Sequence, residues 1–160
     1  MGTKGKVSDS ATVDVQRSVK KMDPRGYLLK LGPGPQERFR GLLMAMAYHG
    51  YGRVVVTSSL RSIEQQCRLY GQGRMIGALE QLGVPGRYSD PAEPIVTWVL
   101  PTKSRHVHGM AIDLDVSAYS RWDDHIVGNL CKHLGITWGG LFDKRDYGHF
   151  ELPKFDEGVR

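Results

Sequence analysis

Cysteine is scarce, long apolar runs are missing, and no basic stretch is interleaved with aromatic side chains. Cys67 and Cys131 are the only cysteines in 160 residues, and neither lies in a Cys-x-x-Cys spacing. That excludes a cysteine-built zinc site or a disulfide scaffold, and two free thiols are expected. No apolar stretch approaches the ~18 residues of a membrane-spanning helix. The opening residues are polar, without the apolar centre of a secretory leader, and Lys6 stands where a myristoylation signal needs Ser or Thr. Without a basic run broken by aromatics, nothing points to nucleic-acid readout. Internal repeats and low-complexity tracts are also lacking.

Glycine, by contrast, is abundant. The 20 glycines in 160 residues exceed the ~7% of average proteins and imply many turns joining short elements. The 22 basic and 17 acidic side chains leave a net charge of +5. Such a balance favours an anionic partner, whether nucleic acid, a membrane surface or a cell wall. The length suits one domain with a core of its own.

Along the chain, residues 1–20 are poor in bulky apolar side chains and read as a flexible or weakly docked lead-in to a domain spanning 21–160. Pro35 suits the first turn of a helix carrying Leu42, Leu43 and Met46, with Gly50 at its end. Residues 53–57 read as a buried strand. Ser62 and Gln65 form a capping box that opens a helix to about Gly73. Residues 75–95, punctuated by glycine and proline, read as a surface insertion. Residues 96–100 and 110–116 read as strands. A helix is expected over 119–134, with Trp122, Ile126, Leu130 and Leu134 on one face. Two short strands close the chain. The fold class is α+β: a small, mostly antiparallel sheet flanked by helices.

The chemistry concentrates in two stretches, from Ser104 to Asp113 and from Trp138 to Glu151. His106, Asp113 and His149 can supply the three ligands of a catalytic zinc site, which keeps a fourth position for water. In an apolar strand, the Asp113 carboxylate needs a partner, and a divalent cation or an arginine would serve. A satisfied core histidine and a salt-bridged aspartate are the alternative reading.

Ser104, His106, Gly109, Ala111 and Asp113 fill S-x-H-x-x-G-x-A-x-D, and Asp146 and His149 fill a later D-x-x-H after Trp138. Upstream, Arg61, Ser62, Gln66, Leu69, Tyr70, Gly73 and Arg74 fit a third block, with Gln65 where an acid is usual. Val96, Thr97 and Trp98 match a further V-T-W element. In these residues the chain resembles the zinc peptidases related to D-alanyl-D-alanine carboxypeptidases and VanX-type dipeptidases, especially phage L-alanyl-D-glutamate endopeptidases. The matching blocks cover about residues 38–152.

The resemblance implies a hedgehog/D-Ala-D-Ala peptidase-like zinc fold and one Zn2+ per chain on His106, Asp113 and His149. It implies Asp146 as general base and Arg61 as the cation that polarises the scissile carbonyl or holds a substrate carboxylate. Asp143 and Glu151 are rivals for the base; Glu151 is preferred as a partner behind His149. Ser104 and Gln66 match positions that bond substrate or support the pocket. For Trp138, core packing and substrate stacking stay open, and His108 occupies a position that the pattern leaves free.

The expected activity is hydrolysis of a peptidoglycan stem-peptide bond, between L-Ala and D-Glu, by an endolysin. It would be made in host cytoplasm without a signal peptide and reach the wall after release. A D-Ala-D-Ala carboxypeptidase or dipeptidase is the alternative within the same chemistry; a non-catalytic wall-binding module is the alternative of another class. Peptidoglycan is the expected partner, the +5 charge suits an anionic wall or outer-membrane surface, and a monomer is expected.

Overall fold

The computed structural model describes residues 9–119 and 123–153, and its topology is set by short strands that alternate buried and open positions. In order, the elements are α1 (Asp9–Met22), α2 (Pro33–Tyr48), β1 (Val55–Ser58), α3 (Ile63–Gly71), α4 (Ile76–Glu80), β2 (Ala111–Asp115), α5 (Asp124–Leu134), β3 (Thr137–Trp138) and β4 (His149–Glu151). The four strands form one antiparallel sheet in the order β1-β2-β4-β3. The expected α+β class and antiparallel sheet are what the chain adopts.

One face of the sheet is apolar. Val56, Ile112, Leu114, Trp138 and Phe150 meet Phe39, Leu42, Leu43 and Met46 of α2 and Val127 and Cys131 of α5 in a single core. Because side chains alternate along a strand, Asp113 between Ile112 and Leu114 is turned to the opposite face. So are its neighbours in β4: Asp113 pairs with His149 and Ala111 with Glu151. A shift in register between Val56 and Ser58 sets Ser58 opposite Asp113. The site therefore stands on the sheet face that the helical core leaves uncovered.

Capping chemistry explains the helix bounds. Ser62 Oγ accepts the Gln65 N–H at 3.1 Å and Gln65 Oε1 accepts the Ser62 N–H at 2.9 Å, which fixes the start of α3. Asp123 accepts the His125 and Ile126 N–H groups at 2.9 and 3.1 Å and starts α5 later than residue 119. Trp122 lies outside the described residues. Among those described, no helix is long and apolar enough to cross a membrane. Cys67 and Cys131 are both free and buried.

Three expectations are corrected. Residues 9–22 are not a loose lead-in but a helix whose end docks in the core, with Val19 and Met22 buried at 8% and 0% exposure. The expected boundary at residue 20 falls inside it. Two well-placed apolar side chains suffice to dock a helix end, so a low apolar count is a poor guide.

Residues 75–95 are not only a surface excursion. Leu79 of α4 and Val84 pack with Cys67 and Tyr70 of α3 in a second small core. Residues 96–100 form no strand. Pro94 and Pro101 flank them, and the β-forming side chains between reflect exposure on a cleft wall rather than a place in the sheet.

Candidate metal centre

Two turns deliver the histidines. Between Ser104 and Gly109 the chain makes a single helical turn, with the His108 N–H on the Ser104 carbonyl and the Gly109 N–H on the His106 carbonyl. Gly109 ends it with φ of 66°, a left-handed conformation that strains any side chain, and the chain enters β2 at once. On the other side the His149 N–H donates to the Asp146 carbonyl at 3.2 Å. Gly148 lies so close to β2 that a Cβ there would come within 2.6 Å of the Leu114 carbonyl oxygen.

These turns bring His106, Asp113 and His149 together, with one possible ligand atom from each within 4.8 Å of the others. Asp113 Oδ1 is the focus, 3.1 Å from His106 Nε2 and 3.0 Å from His149 Nδ1. The outer nitrogens are committed. His106 Nδ1 lies 2.7 Å from the Ser59 carbonyl, and His149 Nε2 lies 3.0 Å from Glu151 Oε2. A carbonyl and a carboxylate can only accept, so each outer nitrogen carries a proton. Each neutral imidazole then presents its lone pair toward Asp113. Lone pairs facing a carboxylate require a shared proton or a cation. Two imidazoles and one carboxylate in this array match the donor set of zinc, and the residues fit a metal ion.

The charges are correspondingly displaced. Burial raises the Asp113 carboxyl pKa, but hydrogen bonds and charge from His106 and His149 outweigh it and hold the group well below the usual carboxylate range. Burial likewise works against charge on His149; bonds to Asp113 and Glu151 outweigh it and push the imidazole up to about 9. The His149 hydrogen bond lowers Glu151 against the effect of burial, with Arg105 adding a weaker pull. Burial lowers Arg61, partly offset by Asp113.

Arg61 stands beside the triad. Its Nη2 is 3.5 Å from Asp113 Oδ2 and 3.2 Å from Ser58 Oγ, while Nη1 donates to Gln66 Oε1 at 2.6 Å. A cleft of about 740 Å³ opens in front, lined among others by Arg61, Ser104, His106, Asp113, Asp146 and Glu151. Asp146 is exposed there, and its carboxylate makes no hydrogen bond or ion pair among the described residues. Ser104 lines the cleft although only 4% exposed.

Two readings that the sequence left open are decided by burial. Trp138 is 1% exposed, stacks on Phe150 and donates its indole N–H to the Tyr147 carbonyl at 2.9 Å. It belongs to the core, where the apolar alternation of β3 puts it, and does not line the cleft. Gln66 lines the cleft but is only 1% exposed and gives its carbonyl oxygen to Arg61; it holds the guanidinium rather than offering a free group to substrate. His108 turns away, its Nε2 2.9 Å from the Thr102 carbonyl.

Residues 100–152 match the family model described as D-alanyl-D-alanine carboxypeptidase. The likeness to that family is confined to this span, about a third of the chain. The matched span holds the three candidate ligands, Ser104, Asp146 and Glu151. Upstream of the family match lie Arg61 and Gln66. The chain is 30% identical to the peptidoglycan L-alanyl-D-glutamate endopeptidase CwlK of Bacillus subtilis (strain 168) over 115 residues, 62% of this chain and 60% of that protein. It thus spans under two thirds of the length of that relative. Among solved structures, the L-Ala D-Glu endopeptidase ChiX of Serratia marcescens aligns with a TM-score of 0.47 and 20% identity, over 84% of this chain and 92% of the other.

Three participants went unread in the sequence. The Ser59 carbonyl, which orients His106, is backbone and leaves no mark in residue identity. Arg105, 3.9 Å from Glu151, adjoins His106 and could have been weighed for that reason. Trp98, 64% exposed on the cleft wall, was hidden by the strand-like look of its neighbours.

Proposed function

We propose that the protein is a zinc-dependent peptidoglycan peptidase that hydrolyses the L-Ala–D-Glu bond of the stem peptide. The observation that carries this reading is the convergence of His106 Nε2 and His149 Nδ1 on Asp113 Oδ1, at the floor of a cleft whose wall carries the uncommitted Asp146 carboxylate. The choice of bond is supported by the likeness to CwlK.

His106, Asp113 and His149 would hold the zinc, which supplies Lewis-acid activation of water and of the scissile carbonyl. Asp146 takes a proton from the attacking water as the new C–O bond forms. Arg61, steadied by Gln66, faces the negative charge that develops on the carbonyl oxygen. The C–N bond then breaks, and the proton held on the Asp146 carboxyl passes to the departing amine. Glu151 keeps His149 oriented by accepting its Nε2–H.

A D-Ala-D-Ala carboxypeptidase or dipeptidase is the second reading, favoured by the description of the family that residues 100–152 match. The lytic setting, a phage endolysin made in host cytoplasm and acting on the wall as a monomer, belongs to the first reading; Asp rather than Glu at position 146 supports it.

Mass spectrometry of digested sacculi, with and without a chelator, tests these readings. New amino-terminal D-Glu that vanishes on chelation is the expected result. Released D-Ala would favour the second reading, and intact muropeptides would exclude both.

A further inference from the structure

Arg74 is a buried cation that pairs with no carboxylate among the described residues. It is 9% exposed, and its guanidinium bonds only to carbonyl oxygens: those of Tyr70 and, at 3.5 Å, Gln72 through Nη1, and that of Thr97 through Nη2 at 2.8 Å. It lies 4.0 Å from the centre of the Tyr70 ring and 5.3 Å from that of Trp98. Burying a charge against neutral acceptors alone is costly, and here it ties the end of α3 to residues 97 and 98 on the cleft wall. The Ser89 hydroxyl in turn donates to the Arg74 carbonyl at 2.8 Å.

Trp98, although held from behind, keeps most of its surface open to the cleft, beside Ile95 and Val96. Lys144 Nζ lies 5.1 Å from the centre of its ring. The arginines of the cleft are each committed to a carboxylate. Arg61 pairs with Asp113, Arg105 with Glu151 and Arg145 with Asp124. Among the described residues neither Lys144 nor Lys103, which also lines the cleft, makes an ion pair, and of these two lysines it is Lys144 that lies over the Trp98 ring. A flat apolar platform thus carries over its ring an ammonium that no carboxylate neutralises among the described residues, inside the cleft that holds the candidate metal centre.

We propose that Trp98 and Lys144 form a subsite for a carboxylate-bearing residue of the substrate peptide, and that Arg74 is the positioning residue that holds Trp98 on the cleft wall. This rests on the peptidase reading. The indole face carries the peptide's aliphatic and backbone surface, and the ammonium takes its carboxylate. Arg74 touches no substrate and acts through the indole.

The test uses the zinc-reconstituted full chain and two stem peptides, one with the D-Glu α-carboxylate free and one with it amidated. Binding is measured by calorimetry in an Asp146→Asn background, and kcat and KM with Asp146 present. The acid form is expected to bind about fivefold tighter than the amide, and Lys144→Met to erase that preference. Trp98→Ala should weaken both peptides about tenfold or more. Arg74→Met should raise KM, leave kcat unchanged and make Trp98 more accessible to acrylamide, with Trp98→Phe as the fluorescence reference. Arg74→Lys keeps the charge but not the planar fork and should be intermediate in KM.

Equal binding of acid and amide, or a preference that survives Lys144→Met, overturns the subsite. A preference that depends on Lys144 without any cleavage supports the subsite and overturns the peptidase reading. Cleavage without preference does the reverse. No binding of either peptide overturns both.

Discussion

Asp113 and His149 are direct partners in the antiparallel register of β2 and β4, with Asp113 Oδ1 3.0 Å from His149 Nδ1. Directly opposed residues hold their Cβ atoms ~4.5–5.5 Å apart, so the sheet itself fixes two of the three candidate ligands. Asp113→Asn removes the charge without changing the shape and should abolish stoichiometric zinc binding. Glu151→Gln, which leaves the ligands but weakens the grip on His149, should cost roughly 10–100-fold in zinc affinity. Competition against a chromogenic chelator measures both. Equal losses in the two variants would count against Glu151 as an outer partner.

Asp146 differs from the triad in standing on the exposed wall with no partner for its carboxylate among the described residues. Asp146→Asn should therefore keep zinc content and thermal stability near those of the unaltered chain while lowering kcat by about 10²–10⁴-fold. Metal analysis, a melting curve and a muropeptide assay on one preparation decide it. A metal-free variant would make Asp146 a ligand.

The capping box at Ser62 and the antiparallel pairing of two apolar strands were legible because local rules and tertiary structure agree there. Asp113 was legible for the opposite reason: a carboxylate within Ala111–Asp115 breaks the apolar pattern and demands a partner. Trp98 was misread and Trp138 left open because a tryptophan in a β-like stretch has the same local signature on a cleft wall as in a core. Only the neighbours brought in from α3 and β4 tell them apart. The docking of α1 was hidden likewise, since Val19 and Met22 acquire their meaning from α2. Main-chain partners such as the Ser59 carbonyl leave no residue pattern at all.

The His149 imidazole, raised to about 9, makes the metal-free protein sensitive to alkali. A group whose pKa is higher in the folded than in the unfolded chain stabilises the fold fully below its ordinary value of 6.5, and that contribution is lost as pH rises through about 9. Asp113, held low, acts in the other direction: its contribution is present above 3.8 and falls away only in acid. In chelator, Tm should therefore decline from near neutrality to about pH 9. With zinc it should rise over the same interval, because a proton on Nδ1 competes with the metal. Melting curves in both conditions test this, and parallel curves would show that His149 does not bind the ion.

Met22, at the end of α1, is fully buried against the core formed with α2 and the sheet. Truncation to alanine leaves a cavity that rigid neighbours cannot close, so Met22→Ala should lower unfolding stability by about 2–5 kcal/mol. Lys20 is exposed on the same helix, and Lys20→Ala should change stability by no more than ~0.5 kcal/mol. Urea unfolding of the two variants separates a docked helix from a dispensable lead-in. If Met22→Ala matched Lys20→Ala, α1 would add nothing to the core, and residues 9–22 could be removed without loss of the metal centre.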